Sequence, residues 1–426
     1  MTAYADTTQG DLATSKPRIS IDKYTLVAVT LIAVLTLVYV IPALLYYLTF
    51  SVATADHWAH VKFAYEFLEA GRPRSAHFLY QLTYLGAANV LPWANPPTLI
   101  LILNTLFNLG MAYLVYGLLA RTFGNPRSFI ASVGLAGLAV SAIIAGPINI
   151  ASQIFEPSGL WEHSYLRYNN MHSPTYLMLK PAAFALWLMI LRVWRPRYGV
   201  VSNIWIIATA ALVVLCGFVK PNYLFALVPG LGLIAAYALL RRRPDWINWR
   251  LLIGVGLVGS LTLAAQYAMG SLLYDPADAV QIVFEPLGLF TAWGVVDDWF
   301  WARIFLSVAF PVAVYVVYFR EARSNVPLNF AWLFFLVAFA QGVFLLEAGD
   351  RSGHGNFIWG SMICLFILFV TSLLFFLKRS VSFTNGIRFR LGVGSVFLLI
   401  VLALQVASGI DRVVRFMSEF TAWANL

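Results

Sequence analysis

A carboxylate and two imidazoles stand close together in residues 54–78, which read TADHWAHVKFAYEFLEAGRPRSAHF. Asp56 is followed directly by His57 and, one helical turn later, by His60. Apolar residues at helical spacing predict an amphipathic helix here, lying on a membrane surface. Successive helical residues are about 100° apart, so the three side chains share one flank, where a carboxylate can accept a proton and an imidazole can orient a reacting group.

Other interpretations of these three residues stay open at this point. Asp56 is a good helix N-cap, and His57 and His60 are ordinary polar groups for an interfacial helix. A divalent metal held by the three side chains is also possible. The sequence has no HExxH motif and no zinc-type Cys/His spacing, so it leaves a metal requirement undetermined.

A second run of hydrogen-bonding side chains lies among aromatic residues in 156–174. This mixture suits sugar hydroxyls and sugar rings, although interfacial loops are also rich in Trp and Tyr. The candidate sugar or acceptor contacts in this run are Glu162, His163, Asn170 and His172.

Three cations and a glycine-rich loop are candidates for binding an anion. Lys180 lies about 9 Å inside its predicted helix, and an ionisable group at that depth is a functional candidate. The competing explanation, a side chain that snorkels to the lipid headgroups, accounts for Lys220 better than for Lys180. The stretch LLEAGDRSGHGNFIWG, residues 345–360, contains four glycines and an arginine whose guanidinium suits a phosphate. The alternative is a glycine-rich turn that only reverses the chain. The candidate residues of this stretch are Glu347, Arg351 and His354.

The elements that must position these residues are membrane helices. The chain is 61% hydrophobic and 11% charged, which excludes a soluble globular protein. The net charge is +9, and the basic residues lie at the ends of predicted helices and do not alternate with aromatic residues along a stripe. This distribution favours a role in anchoring the helices at the membrane surface over a role in binding nucleic acid. Cys216 and Cys364 lie inside apolar runs and indicate no disulfide framework. The first apolar run is too long for a cleaved signal peptide and is expected to remain as a helix.

The apolar runs predict an all-α fold, a polytopic transmembrane helix bundle forming a single domain over residues 1–426. About eleven runs are long enough to cross roughly 30 Å of hydrocarbon as helices. They span residues 24–52, 96–120, 129–152, 174–194, 201–218, 222–241, 250–272, 301–319, 328–346, 356–377 and 391–409.

The distribution of Arg and Lys predicts the orientation of these helices. With the amino terminus inside and residues 77–93 interfacial or re-entrant, the Arg-rich loops all fall on the cytoplasmic side. If 77–93 crossed the membrane, every later loop would flip. The N-in, C-out arrangement therefore makes 1–23 a cytoplasmic tail, 53–95 the first outer loop and 410–426 a short outer amphipathic tail.

This orientation also sorts residues that were not used to derive it. All six histidines fall on the outer side, together with most of the acids. A one-sided distribution of the most versatile acid, base and ligand residue indicates a functional site that faces outward.

The arrangement resembles the GT-C superfamily of polyprenyl-phosphate-sugar glycosyltransferases. The residues that carry the resemblance are Asp56 in TADHWAH, the interfacial stretch up to Pro97 and the many-helix body that follows. In that superfamily an acid of the first outer loop is the catalytic base or a metal-coordinating acid, and Asp56 is the matching position. The chain departs from the pattern in two ways: His57 stands where a paired acid is familiar, and no large soluble domain follows the last apolar run.

The resemblance implies an inverting transfer from a polyprenyl-phosphate-linked sugar to a hydroxyl of a glycan, lipid or protein acceptor. It places the site on the outer face of a membrane, expected to be that of a bacterium, with no nucleic acid partner. Asp56 would act as base and His60 would orient it, while Lys180, Lys220, Arg351 and His354 would hold the donor phosphate. Sugar and acceptor contacts would come from His57, Glu162, His163, Asn170, His172 and Glu347.

Two other classes of protein remain as alternatives. An enzyme like the O-antigen ligases or polymerases would use a lipid diphosphate donor and Arg and His in a large late outer loop, but residues 273–300 contain neither. A transporter would need polar or broken helices at mid-membrane, whereas the centres of the predicted helices are nearly all apolar.

The predicted topology can be tested by cysteine labelling of intact cells. A cysteine at position 354 should react with a membrane-impermeant thiol reagent, and a cysteine at position 124 should react only after permeabilisation. The opposite pattern would invert the bundle and place Asp56 in the cytoplasm.

Overall fold

A computed structural model describes residues 22–49, 56–149, 165–273, 281–349, 352–382, 388–389 and 392–424. Within these ranges the chain is an all-α bundle, with two short antiparallel β-ladders beside the helices. Each apolar run predicted to span the membrane is helical over most of its length.

The helices of the amino-terminal half are α1 (Lys23–Thr49), α2 (Asp56–Ala70), α3 (Leu79–Val90), α4 (Pro96–Phe123), α5 (Phe129–Ile144), α6 (Pro174–Ile190), α7 (Arg195–Tyr198) and α8 (Asn203–Val219). The later helices are α9 (Asn222–Leu240), α10 (Trp249–Leu273), α11 (Gly288–Ala292), α12 (Phe300–Ser307), α13 (Ala309–Val317), α14 (Phe319–Ala322), α15 (Val326–Phe344), α16 (Asn356–Ser380) and α17 (Val393–Ala424). Strand β1 (Ile282–Phe284) pairs with β2 (Leu345–Glu347), and β3 (Val381–Ser382) pairs with β4 (Arg388–Phe389).

Within the described residues, eight helices are long and apolar enough to cross a membrane, which indicates a multi-pass integral membrane protein. The α12–α13 pair would make a ninth span, although it bends by 66° at Val308. Helices α5 and α8 are apolar but have only 16 and 17 residues. The total of eleven spans and the orientation of the bundle stay predictions.

Helix α16 forms the centre of the bundle. It is apolar around its circumference and buried along nearly its whole length, which is the pattern of a helix surrounded by other helices. Helices α6, α9, α13 and α15 pack around it. Its first turn, which carries Asn356 and Trp359, is therefore held in the middle of one end of the bundle, next to the loop that joins α8 to α9.

Helices α2 and α3 pack against each other and against α4 and α6 at this same end, called here the Asp56 end. Gly71, at a φ of +63°, follows the last residue of α2, and a glycine in this left-handed region commonly ends a helix. Helix α3 occupies most of the ambiguous residues 77–93, and its 12 residues extend only about 18 Å, too short to cross a bilayer.

Helix α17 differs from the expected short helix at 410–426, because it continues without a break from the last predicted span to Ala424. It packs against α1 and the end of α5, where the backbone N–H of Gly146 donates to the carbonyl of Gln405 at 3.0 Å. A Cβ at Gly409 would collide with the carbonyl oxygen of Ile144. The close approach of α17 to α5 therefore depends on a glycine at this position.

Gly409→Ala is expected to lower stability, because the added methyl group would force α17 away from α5. Overpacking of this kind typically costs about 1–3 kcal/mol. The measurement is the midpoint of thermal unfolding of purified protein in detergent. Gly110→Ala on α4 is the matched control, since its Cβ would meet nothing within 4 Å. Equal midpoints for the two variants would contradict the close helix contact.

Candidate functional site

Asp56 is a partly exposed acid at the start of the predicted amphipathic helix. It is the first residue of α2, its side chain is 39% exposed, and its Oδ1 lies 3.8 Å from Nε2 of His172. The two histidines of the same helix differ from it, because both are buried. The predicted flank of three substrate-facing groups is therefore divided between one exposed carboxylate and two internal imidazoles.

His57 connects α2 to two other parts of the bundle. Its Nε2 donates to the carbonyl oxygen of Met171 at 2.8 Å, and its Nδ1 accepts from Nδ2 of Asn104 at 3.3 Å. Burial lowers the pKa of His57 to about 4, so the ring is neutral at physiological pH. With no exposed surface and both nitrogens bonded, His57 fits a positioning role rather than the predicted contact with a sugar.

His60 connects α2 to α3 in a similar way. Its Nδ1 accepts from Nε2 of Gln81 at 2.9 Å, and its ring packs edge-on against Tyr80 at 5.7 Å between centroids. Burial lowers the pKa of His60 to about 4, although the Asp56 carboxylate acts in the opposite direction. A neutral His60 one turn behind Asp56 is suited to fixing the direction of α2.

Lys220, in the loop between α8 and α9, lies near enough to Asp56 for its positive charge to lower the pKa of that carboxyl. Its side chain is buried, and its Nζ donates to the hydroxyls of Ser173 and Thr175, each at 3.4 Å. The same ammonium lies 4.6 Å from the ring centre of Trp359, at the start of α16. The expected snorkelling of Lys220 to the headgroups is therefore wrong, since the lysine points into the protein.

The Asp56 cluster consists of Asp56, His172, Ser173, Thr175, Lys220 and Trp359. Burial raises the pKa of the Asp56 carboxyl, whereas the positive charge of Lys220 lowers it. His172, His60 and a hydrogen bond from Ser173 act in the same direction as Lys220 and together place the pKa below its ordinary value of 3.8. The cluster thus holds an ionised carboxylate that is partly open to solvent at neutral pH.

Lys180 occupies a different position from the one expected for a partner of Asp56. It is buried in α6 and does not face lipid. Its Nζ donates to Oδ1 of Asn169 and lies 4.4 Å from the ring centre of Phe366. The two lysines bond to two points of one irregular segment, residues 165–173: Lys180 at Asn169 in its middle and Lys220 at Ser173 at its end. Of the two lysines, Lys220 is the one whose positive charge lowers the pKa of the Asp56 carboxyl.

Two further predicted contacts, Asn170 and His172, lie in this segment. Oδ1 of Asn170 accepts the backbone N–H of His172 at 2.9 Å, which orients the residue that faces Asp56. The ring of His172 packs edge-on against Tyr47 at 6.0 Å between centroids. The other two candidates of this run, Glu162 and His163, lie outside the described residues.

The late glycine-rich loop reaches the Asp56 cluster through two asparagines. Oε2 of Glu347 accepts from Nδ2 of Asn356 at 2.7 Å, and Nδ2 of Asn222 donates to the carbonyl of Asn356. Asn222 is two residues from Lys220, so Glu347 is connected to the lysine loop. His354 is exposed in the same late loop, and Arg351 lies outside the described residues.

Several residues of the site were missed by sequence reasoning. Tyr47 and Trp359 are aromatic residues in apolar runs, where they resemble ordinary core or interface residues. Ser173 and Thr175 flank Pro174 at a helix start, which is a usual place for hydroxyl caps. The available signal was the pairing of a lysine with a proline at 180–181 and at 220–221, which marks two unusual helix positions.

Among the described residues, no three His, Cys, Asp or Glu side chains converge in a way that would hold a metal ion. His57 and His60 of the proposed three-ligand set point away from Asp56 into separate hydrogen bonds. This geometry does not favour the metal interpretation of the first-loop residues.

Lys220→Met should raise the pKa of Asp56, because it removes the nearby positive charge that lowers it. Carbodiimides modify protonated carboxyl groups, so the pH of half-maximal labelling at Asp56 should move upward, as read by mass spectrometry of the labelled peptide. Lys62→Met is the control, since Lys62 is exposed on the same helix and pairs with Glu66 at 3.8 Å. An unchanged midpoint in Lys220→Met would mean that this lysine does not act on the carboxylate.

No protein-family model matches this sequence, and no curated protein matches it. The function must therefore be inferred from the chemistry of the Asp56 cluster and from its place at one end of a membrane-embedded bundle.

Proposed function

We propose that this protein is a membrane glycosyltransferase that moves a sugar from a polyprenyl-phosphate donor to an acceptor hydroxyl on the outer face of the membrane. The observation that carries the proposal is that Ser173 lies between an ionised, partly exposed Asp56 carboxylate and the buried ammonium of Lys220, which donates to the Ser173 hydroxyl at 3.4 Å. A carboxylate and a cation held close together match the two charge changes of glycosyl transfer from a phosphate.

The reaction is a single displacement at the anomeric carbon. Asp56 accepts the proton of the acceptor hydroxyl as its oxygen forms the new glycosidic bond. The bond between the anomeric carbon and the phosphate oxygen breaks, and the phosphate leaves with the electron pair. Attack from the face opposite the leaving group inverts the anomeric configuration, and the proton remains on Asp56 until solvent removes it.

The positive charge needed at the leaving phosphate comes from Lys220. An ammonium shielded from water interacts with a developing phosphate charge more strongly than an exposed one, because water screens it less. The hydroxyls of Ser173 and Thr175 accept hydrogen bonds from the ammonium, and the ring of Trp359 packs against it in a cation–π contact. Lys220 is therefore the leading donor-phosphate residue, with Lys180 assigned to positioning the segment that carries Ser173.

The lowered pKa of Asp56 has a consequence for this mechanism. A carboxyl with a depressed pKa is a weaker base than an ordinary aspartate, but it is deprotonated before every turnover at neutral pH. Activity should consequently be lost only under acidic conditions, as pH falls toward the pKa of Asp56. Neutral His57 and His60 hold α2, which carries Asp56, in place through their own hydrogen bonds and do not compete with the carboxylate for the proton.

The proposed location of the site in a membrane determines where the lipid chain and the phosphate of the donor lie. A sugar carried on a polyprenyl phosphate keeps its isoprenoid chain in the hydrocarbon and its phosphate near headgroup level. The Asp56 cluster lies where α2 and α3 rest on the ends of α4 and α6, at a helix end of the bundle. A phosphate at that height can reach Lys220 while the acceptor approaches Asp56 from the water side.

Asp56→Asn is expected to abolish transfer and leave folding nearly intact, because an amide can cap α2 but cannot accept the proton. The measurement is release of undecaprenyl phosphate from a panel of radiolabelled undecaprenyl-phosphate sugars by membranes that contain the protein. The loss should be at least about 10²-fold.

Glu66→Gln is the matched control, since Glu66 is a second acid on α2 that pairs with Arg74 at 2.9 Å. This variant should keep wild-type turnover. A folded Asp56→Asn protein with wild-type turnover would reduce Asp56 to a helix cap and remove the basis of the proposal.

A further inference from the structure

A cleft outside the Asp56 cluster opens between α1, α5 and α17. Its volume is about 480 Å³, including the space that opens to solvent. The described residues that line it include Tyr39, Arg167, Asn169 and Arg412, but none of the Asp56 cluster. The cleft is therefore a second candidate site at the same end of the bundle.

Among the described residues that line this cleft, guanidinium groups outnumber carboxylates. Arg167, Arg412 and Arg415 contribute three guanidinium groups, and Asp411 contributes one carboxylate. Asp411 accepts from Nε of Arg415 at 2.8 Å, so its charge is matched within α17. Arg167 is buried, so its guanidinium attracts an anion in the cleft more strongly than an exposed arginine would, because water screens its charge less.

The guanidinium groups are the donors of this lining that suit an oxyanion. Asn149 and Asn169 line the cleft as well, but the side chain of Asn169 is already bonded to Ala142, Ala145 and Lys180. Guanidinium groups bind phosphate through two parallel hydrogen bonds, and several of them around one cleft favour a phosphate over a lone carboxylate.

The mouth of the cleft lies at a boundary between polar and apolar surface. Asp411 and Arg415 are about half exposed, with side-chain exposures of 47% and 45%. On the same stretch of α17, large apolar side chains are exposed as well: Ile410 by 48%, Val414 by 57% and Met417 by 52%. In a membrane protein, exposed apolar residues of this size face lipid. A ligand entering here meets arginines with its head and an apolar helix face with its tail.

We propose that this cleft binds the phosphate group of a membrane lipid, at a site separate from Lys220. This inference goes beyond the proposed transferase activity, because it concerns a second lipid and is tested by binding alone.

Tyr47 connects this lipid site to the Asp56 cluster. Its hydroxyl accepts from Nη2 of Arg412 at 2.6 Å, and its ring packs against His172, which faces Asp56. A phosphate that draws Arg412 toward itself also acts on the position of Tyr47. Occupancy of the cleft is thereby coupled to the orientation of the residue beside the carboxylate.

The test is thermal unfolding of purified protein in a neutral detergent, titrated with dodecyl phosphate and, separately, with inorganic phosphate. Dodecyl phosphate should raise the unfolding midpoint of the wild-type protein. The half-maximal concentration should rise at least tenfold in Arg167→Gln and Arg415→Gln. Arg74→Gln, which removes an arginine paired with Glu66 on α2, should behave as wild type.

Arg415→Gln is included because the variant of the buried Arg167 could lose binding by failing to fold. Arg415 is exposed and its ion pair lies within one helix turn, so its replacement should leave the fold intact. The proposal is overturned if dodecyl phosphate stabilises all variants equally or stabilises none, the wild type included. If inorganic phosphate is as effective as dodecyl phosphate, the cleft binds phosphate without a lipid and the lipid assignment is wrong.

Discussion

The irregular segment at residues 165–173 imposes the main constraint on this structure. It is not helical, yet nearly all of it is buried inside a bundle of membrane helices. Backbone of this kind is tolerated at membrane depth only where protein groups satisfy its hydrogen bonds. Here side chains from several helices do so: His57 bonds the carbonyl of Met171, Tyr176 bonds that of Tyr168, and Ser307 accepts the N–H of Leu166.

The side chains of the segment are held as firmly as its backbone. Nδ2 of Asn169 donates to the carbonyls of Ala142 and Ala145 at the end of α5, while its Oδ1 accepts from Lys180. Ser173 at the other end accepts from Lys220. The two buried lysines are consequently matched to the segment's oxygens, and removing either would leave polar groups without partners in an apolar interior.

Both candidate sites follow from this tethering. The Ser173 end presents His172 and Lys220 to Asp56, whereas the Arg167 end faces the cleft beside α17. Tyr47 touches both, through its ring and its hydroxyl. One rigid stretch of chain thereby fixes the spacing between a carboxylate and two sets of cations. Such spacing is what a reaction between two membrane-bound substrates would require.

Sequence reasoning predicted the helices well, because long apolar runs have few alternatives in a bilayer. It did not identify α16 as the central helix, since an apolar helix looks the same whether lipid or protein surrounds it. The bend at Val308 did have a signal in the sequence, because Pro311 cannot donate to the carbonyl of Ser307 four residues earlier. The continuity of α17 past Ile410, by contrast, depends on packing against α1 and α5.

The candidate site was predicted in part. Asp56 stood out because it begins an amphipathic helix after the first apolar run, and the structure leaves it partly exposed. The inward rotation of His57 and His60 could not be read from helical spacing, because it depends on where Met171 and Gln81 lie in the fold. Lys220 was misjudged for the same reason, since its partners Ser173 and Thr175 are distant in sequence.

The central claim is that Asp56 and Lys220 face one reacting group. An experimental structure of the protein in lipid nanodiscs with undecaprenyl phosphate tests it most directly. The account predicts phosphate density next to Lys220 and Ser173, with the Asp56 carboxylate on the opposite side of the space where a sugar would sit. Phosphate bound elsewhere, with Asp56 and Lys220 separated by protein side chains, would contradict it.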